Sequence, residues 1–383
     1  MPKVTLESGR SSATDPAKAA EEALASLGPV PPKVVFGFVP GPFDHGAFHK
    51  ALRERLPKHV RVCTSSTGGE IDRSGYLTHH LVVAALGGDI EIGAGIGTAL
   101  ARDAASAGSK AIERAASELG TTVGGLDRRC GAIVIDDGFK MKKEEMLLGV
   151  LEKNQGLVVV GGGASGYEFM RGEGSVGVDG EVVTDGVLIV TFRTPAPWAA
   201  LRSHWYLPTG RSVRVTKVDV AARRILELDG KPAGARWAEV AGVPPEHLTL
   251  TKPDKFLEWA LAMKVGREHF LRAIAKRLED DTLESTNMVQ DDQELEVMRA
   301  GDIVELTRRF FDDELPRRIE RPSAALLFDC GARKLYAQMT GRLGELGAVL
   351  GGKVPSAGFT VQFETYCGFM INSTLTSLVF GES

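Results

Sequence analysis

Ser66-Thr67-Gly68-Gly69-Glu70 combines hydroxyls, a permissive backbone and a carboxylate in one short stretch. Placed after a buried strand, such a turn exposes N–H groups that converge above the strand end, and the hydroxyls add donors and acceptors. That nest suits a carboxylate or another small anion. Glu364 holds the equivalent place in a later repeat, so a pseudo-symmetric site offers one acidic group from each side. Carboxylates facing an amine and N–H groups facing a carboxylate together suit an amino acid or a related zwitterion. The plainer alternative is that Gly and Ser permit a tight turn, while Glu70 and Glu364 cap nearby backbone or pair with a base such as Arg333.

Cys330 follows an apolar strand and precedes Gly331, a position from which a nucleophile projects, and Arg333 is placed to steady an oxyanion. No histidine lies nearby in sequence to act as base. A buried structural thiol is the simpler reading, and an enzyme is not expected. His45 and His49 share one face of a helix, but two ligands leave a metal site incomplete, so they are expected as a surface pair. His79-His80 precede a strand and point to opposite faces.

These residues need positioning, and the chain uses one unit three times: strand, helix, strand, Gly/Ser turn, strand. The first copy runs from Val34–Phe38 through a helix to Val60–Cys63, the Ser66 turn and Leu81–Leu86. The second joins Ala132–Ile135, a Lys/Glu-rich helix, Leu157–Val160, Gly161–Gly166 and Val187–Val190. The third has Ala324–Phe328, a helix over Leu335–Leu350, Gly358-Phe359, Glu364 and Thr374–Phe380. The expected fold is mixed α/β: two related subdomains of repeated strand-helix-strand-strand units, with mixed sheets flanked by helices. At 383 residues two domains are expected, split near the prolines 244 and 245 into 1–245 and 246–383.

Gly93-Ala94-Gly95-Ile96-Gly97 lacks the third small residue of a dinucleotide fingerprint and is expected as a strand-to-helix turn before a helix over Thr98–Leu119. Asp15-Pro16 starts a helix, and Asp229-Gly230 turns a hairpin. A net charge of −4 without a basic cluster argues against nucleic acid. Four scattered cysteines, no signal segment and no long apolar run point to a cytoplasmic protein that does not enter a membrane. The acidic stretch 280–296 reads as a solvated ribbon, with docking of a partner protein as its sharper alternative.

Several motifs, in order, resemble those of the FIST family, sensory modules of bacterial signal transduction that also occur in some eukaryotic F-box proteins. Ser66–Ile71 resembles the Ser-Thr-Ala-Gly-Glu-Ile turn of the FIST N domain. Val159-Val160-Gly161-Gly162 resembles its Val-Gly-Gly turn, and Trp205, Pro208 and Gly210 its Trp-x-Pro-x-Gly element. Cys330-Gly331-Ala332-Arg333 is similar to the Cys-x-x-Arg signature of the FIST C domain, as are Gly358-Phe359, Glu364 and Asn372–Leu375 to its later elements. The family's Gly before Glu364 is Phe363 here, a bulky residue that narrows any pocket beside the turn. The resemblance implies a non-catalytic sensory module that binds a small ligand, an amino acid being the class proposed for the family, and signals through a separate protein. It implies ligand contacts from Ser66, Thr67, Gly69, Glu70, Gly162, Trp205, Cys330, Arg333, Gly358, Glu364 and Asn372. Some family members bind haem, which would make His204, beside Trp205, an axial-ligand candidate; otherwise no cofactor is implied.

Overall fold

The computed structural model describes residues 1–166, 172–249 and 251–382. The first unit contains β1 (Val4–Ser11), α1 (Pro16–Ala25), β2 (Pro32–Pro40), α2 (His45–Arg55), β3 (Arg61–Thr67), the short β4 (Glu70–Asp72) and β5 (Gly75–Leu77), and β6 (Leu81–Gly88). The second has β7 (Glu91–Thr98), α3 (Ala104–Glu118), β8 (Cys130–Asp136), α4 (Lys143–Leu151), β9 (Val159–Gly163), β10 (Ser175–Val178), β11 (Glu181–Thr184) and β12 (Gly186–Arg193). The third opens with β13 (Trp198–Ser203) and is then interrupted by a separate layer. That layer comprises β14 (Tyr206–Asp219), β15 (Arg224–Leu228), β16 (Lys231–Pro232), α5 (Ala233–Ala241), α6 (Pro253–Phe256), β17 (Trp259–Val265), β18 (Glu268–Arg272), β19 (Ile274–Arg277), β20 (Leu283–Ser285) and β21 (Glu294–Ala300). The chain returns through α7 (Ile303–Arg309) and α8 (Leu315–Arg318) to β22 (Pro322–Cys330), α9 (Gly331–Met339), α10 (Leu343–Gly352), β23 (Ser356–Tyr366), β24 (Phe369–Ile371) and β25 (Leu375–Gly381).

The three units share one strand plan. An outer strand pairs antiparallel with the last strand, which pairs antiparallel with the first strand of a parallel, helix-linked pair: β1-β6-β2-β3, β7-β12-β8-β9 and β13-β25-β22-β23. Helix-linked crossovers are what parallel neighbours require, and they place the helices outside. Phe38, Ile135 and Phe328 occupy matching positions in the three units and meet in one shared core, with the Phe38 and Phe359 rings 4.8 Å apart. Mixed sheets flanked by helices are therefore found as expected.

Each unit also reaches over to the next. Glu70 pairs with Phe359, Glu364 with Gly162, and Val176 with Ser65. These registers make Glu70, Glu364 and Val176 matching positions, preceded by Gly69, Phe363 and Ser175.

Two expected elements differ. Gly93–Gly97 is the middle of β7, not a turn, and the helix begins only at Ala104. A Cβ on Gly93, Gly95 or Gly97 would lie 2.1, 2.3 or 2.0 Å from the carbonyl oxygens of Ala115, Ala111 and Ala107. The alternating glycines thus let the Ala-rich α3 lie directly on the strand, a period-2 signal. The single helix expected over Leu335–Leu350 is instead α9 and α10, broken where Gly341 adopts φ +71°. The Asp15 cap holds, accepting from the Lys18 N–H at 2.8 Å. Val215–Asp219 of β14 and Arg224–Leu228 of β15 pair antiparallel, and Asp229-Gly230 turns the chain from β15 into β16. The separate layer has its own core, in which Val213, Trp237, Leu261 and Val297 pack together.

Candidate functional site

The units meet over a cleft of about 260 Å³. Gly68, Ser165 and Gln362, matching positions of the three units, all line it, together with Lys334 and Thr360. Ser165 Oγ accepts from the Gly68 N–H at 2.8 Å and donates to the Thr360 carbonyl, so one hydroxyl ties all three units together. The Gly69 carbonyl accepts from the Thr360 N–H at 2.7 Å.

Lys334 projects from the first turn of α9 and donates to the Gly68 carbonyl at 2.9 Å. Gly69 stands at φ +149°, and a Cβ there would lie 2.2 Å from Lys334 Nζ. The glycine therefore serves both the backbone conformation and the approach of the amine. Burial lowers the lysine pKa, with the charges of Glu70 and Asp329 opposing the shift. An ammonium has three donors, so the Gly68 bond leaves donors for a ligand in the cleft.

The two glutamates turn inward. Glu70 is fully buried, and burial pushes its pKa up to about 8 against the opposing effects of Thr67 and Lys334. Its carboxyl is thus mostly protonated at pH 7. Thr67 Oγ donates to the Glu70 carboxyl and also lies 3.2 Å from the Val39 carbonyl. Glu364 is also fully buried, accepts from the Thr374 N–H at 3.0 Å and hydroxyl at 2.7 Å, and is pushed up to about 8 chiefly by burial. Neither carboxyl is among the cleft-lining residues, so the picture of two carboxylates facing a ligand amine has no counterpart in this cleft.

The remaining sequence candidates form a second, closed group. Cys330 lies against Glu364, and burial first, then that carboxyl, raises its thiol pKa well above the usual value. Such a thiol is a poor nucleophile. Arg333 is fully buried in an ion pair with Asp329 at 2.7 Å, donates to Thr307 at 2.8 Å and stacks over Trp205 at 5.5 Å. Asn372 reaches across to Asn287 of the separate layer. A Cβ on Gly162 would lie 2.6 Å from Val361, and one on Gly358 2.0 Å from the Leu327 carbonyl oxygen, so both glycines admit a neighbouring strand. None of the expected ligand contacts is among the residues lining this cleft, although Gly68 of the same turn is, and Gly69 and Glu70 lie beside its lysine. Ser66 lines a neighbouring cleft.

Lys334, Ser165, Thr360 and Gln362 were not singled out in sequence. Ser165 carried a signal, since it closes the second unit's Gly-rich turn. Lys334 carried one only as the basic neighbour of Arg333.

His45 and His49 are buried rather than a surface pair, and both bond Thr64 Oγ at 2.7 Å. Among the described residues no group of three His, Cys, Asp or Glu is arranged to hold a metal. A haem needs a flat apolar slot around its axial histidine. His204 is instead surrounded by Arg202, His269 and Arg333, whose charges add to burial in lowering its pKa to about 4, so its surroundings do not fit a haem. Three of the seven acidic residues of the 280–296 stretch have basic partners within their own layer: Asp281 with Arg277, Glu284 with Lys276 and Glu296 with His269. No helix among the described residues is long and apolar enough to cross a membrane.

Three repeated α/β units close on a polar cleft at their common junction, an architecture built by internal repetition. Residues 33–231 match the FIST N domain and residues 237–367 the FIST C domain, and the chain belongs to this family of sensory signal-transduction domains. No curated protein matches the chain. Among solved structures it is similar to a cyanuric acid hydrolase from A. caulinodans, at 12% identity and a TM-score of 0.39 over 100% of both chains. T. maritima PurL complexed with FGAR is similar at 11% identity and a TM-score of 0.21, over 99% of this chain and 72% of that one. Likenesses this weak carry no argument about activity.

Proposed function

We propose that the chain is a non-catalytic sensory module whose ligand is a small carboxylate, an amino acid being the leading class, bound in the junction cleft. The observation that carries this reading is Lys334: a largely buried amine in the cleft wall, admitted there by Gly69 and supplying donors to the open space. The carboxylate sits on Lys334, while Leu77, Leu335 and Val361 offer apolar contact to the remainder. Burying an ammonium is costly unless it is paired, so an arriving anion offsets a cost already present in the empty protein.

The raised Cys330 thiol and the inward glutamates supply no activated nucleophile, which favours binding over chemistry. In this reading the protein works in the cytoplasm and hands its signal to a separate protein. A thermal-shift screen of the purified protein against amino acids, short carboxylates and haemin tests the ligand class. A ligand at about a hundred times its Kd stabilises the folded state by about 2.7 kcal/mol. Carboxylates are expected to raise the melting temperature and haemin to leave it unchanged with no Soret band; a haemin-specific shift would overturn this reading.

A further inference from the structure

The seam between the first and second units holds another cleft, of about 510 Å³, related to the junction cleft by the internal repetition. Ser66, Ser175, His45, Glu173, Phe43 and Pro42 line it. Where the junction cleft places Lys334 against the Gly68-Gly69 turn, this one places His45 against Ser175, the position matching Gly69.

A hydrogen-bond chain fixes what this seam presents. The Gly180 N–H, which can only donate, bonds His49 Nε2 at 2.7 Å. Burial holds the His49 pKa at about 4 and the His45 pKa at about 3, so both rings are neutral at pH 7. Neutral His49 must therefore carry its proton on Nδ1 and donate it to Thr64 Oγ, at 2.7 Å. The Thr64 proton then goes to His45 Nε2, also at 2.7 Å, and His45 Nδ1–H donates to Ser175 Oγ at 2.7 Å. The Ser175 oxygen accepts from that ring, and its hydroxyl keeps its own proton to donate. Ser66 is in the same state, because its oxygen accepts from the Ser175 N–H at 3.0 Å.

Two hydroxyl donors thus share the cleft with one carboxylate, Glu173, whose base Lys140 lies 3.6 Å away, and with the Phe43 ring. A free carboxylate ligand would meet Glu173, whose base Lys140 is already shared with Asp137 at 3.6 Å, and no lysine or arginine is among the described residues that line the cleft. A primary carboxamide meets complementary groups: its oxygen accepts from the serines, its NH2 donates to Glu173, and a flat apolar body lies on Phe43. We infer that this seam is a second binding site, selective for a small neutral carboxamide, in which Ser66 and Ser175 hold the carbonyl oxygen and the Gly180–His49–Thr64–His45 chain orients Ser175.

Benzamide and benzoate are the probes, titrated by calorimetry into the wild-type protein, Ser175→Ala, Ser66→Ala and Lys334→Gln, with the histidine ring 15N–1H signals followed in parallel. Benzamide should bind wild type and Lys334→Gln alike, weaken about tenfold in either serine variant, as expected for one lost hydrogen bond, and shift the His45 Nδ1–H signal; benzoate should not compete. Absence of benzamide binding to wild type, wild-type affinity in both serine variants, or an unmoved His45 signal would each overturn the proposal. Ser66→Ala leaves the histidine chain whole, so it remains informative if Ser175→Ala folds poorly.

Discussion

Glu70 and Glu364 carry a pH dependence of stability whose sign follows from their burial. An isolated glutamate titrates near 4.5, and both are raised to about 8 in the fold. A raised carboxyl pKa means that the folded state prefers the proton, so its stabilising contribution is complete below about 4.5 and is lost as pH rises through 8. Stability measured by denaturant titration should therefore fall between pH 5 and pH 8, and Glu70→Gln with Glu364→Gln should flatten that slope; an unchanged slope would show both carboxyls ionised in the fold. The amide keeps the shape and the neutrality, so the double variant should match or exceed wild-type stability at pH 8. The turn around Glu70 was legible in sequence, but its inward direction was not. That direction depends on pairing with Phe359, almost three hundred residues away, which no local pattern encodes. Lys334 escaped for the same reason: its role exists only because Gly69 of another unit leaves room for it.

At the scale of elements, the third seam shows what closes a site. Phe363 stands where the first unit has Gly69, at φ +61°, an uncomfortable conformation for a side-chain residue. Phe363 is buried in one apolar cluster with Met146 and Met370. Phe363→Gly relieves backbone strain of about 1–2 kcal/mol but forfeits the roughly 3–5 kcal/mol of a buried aromatic ring. Net destabilisation of about 1–4 kcal/mol is expected in a denaturant titration, together with a new cavity in that seam; a variant as stable as wild type would show that the ring contributes little packing. The substitution of a bulky residue for the family's Gly was readable in sequence, whereas its place in a seam between units was not. The same limit explains β7: alternating glycines read locally as a turn, yet each is dictated by α3 lying across the strand.

Across the whole molecule, repetition was the strongest sequence signal, because an apolar strand, a helix and a glycine-rich turn in fixed order need no distant partner to be recognised. How the repeats close on one another was not visible, since each reaches into the next through only two to four residue pairs. That closure makes one junction from Gly68, Ser165 and Gln362 and leaves two seams lined by different bases, Lys334 and His45. Anion recognition then belongs to the seam with the lysine. Calorimetric titration of amino acids and short carboxylates into the wild-type protein and into folded Lys334→Gln tests this most directly. Binding by wild type that weakens about 10- to 100-fold in the variant, the range for a hydrogen bond to a charged group, is the predicted result. Equal affinity in the two proteins, or no carboxylate bound by wild type, would contradict a carboxylate site at Lys334.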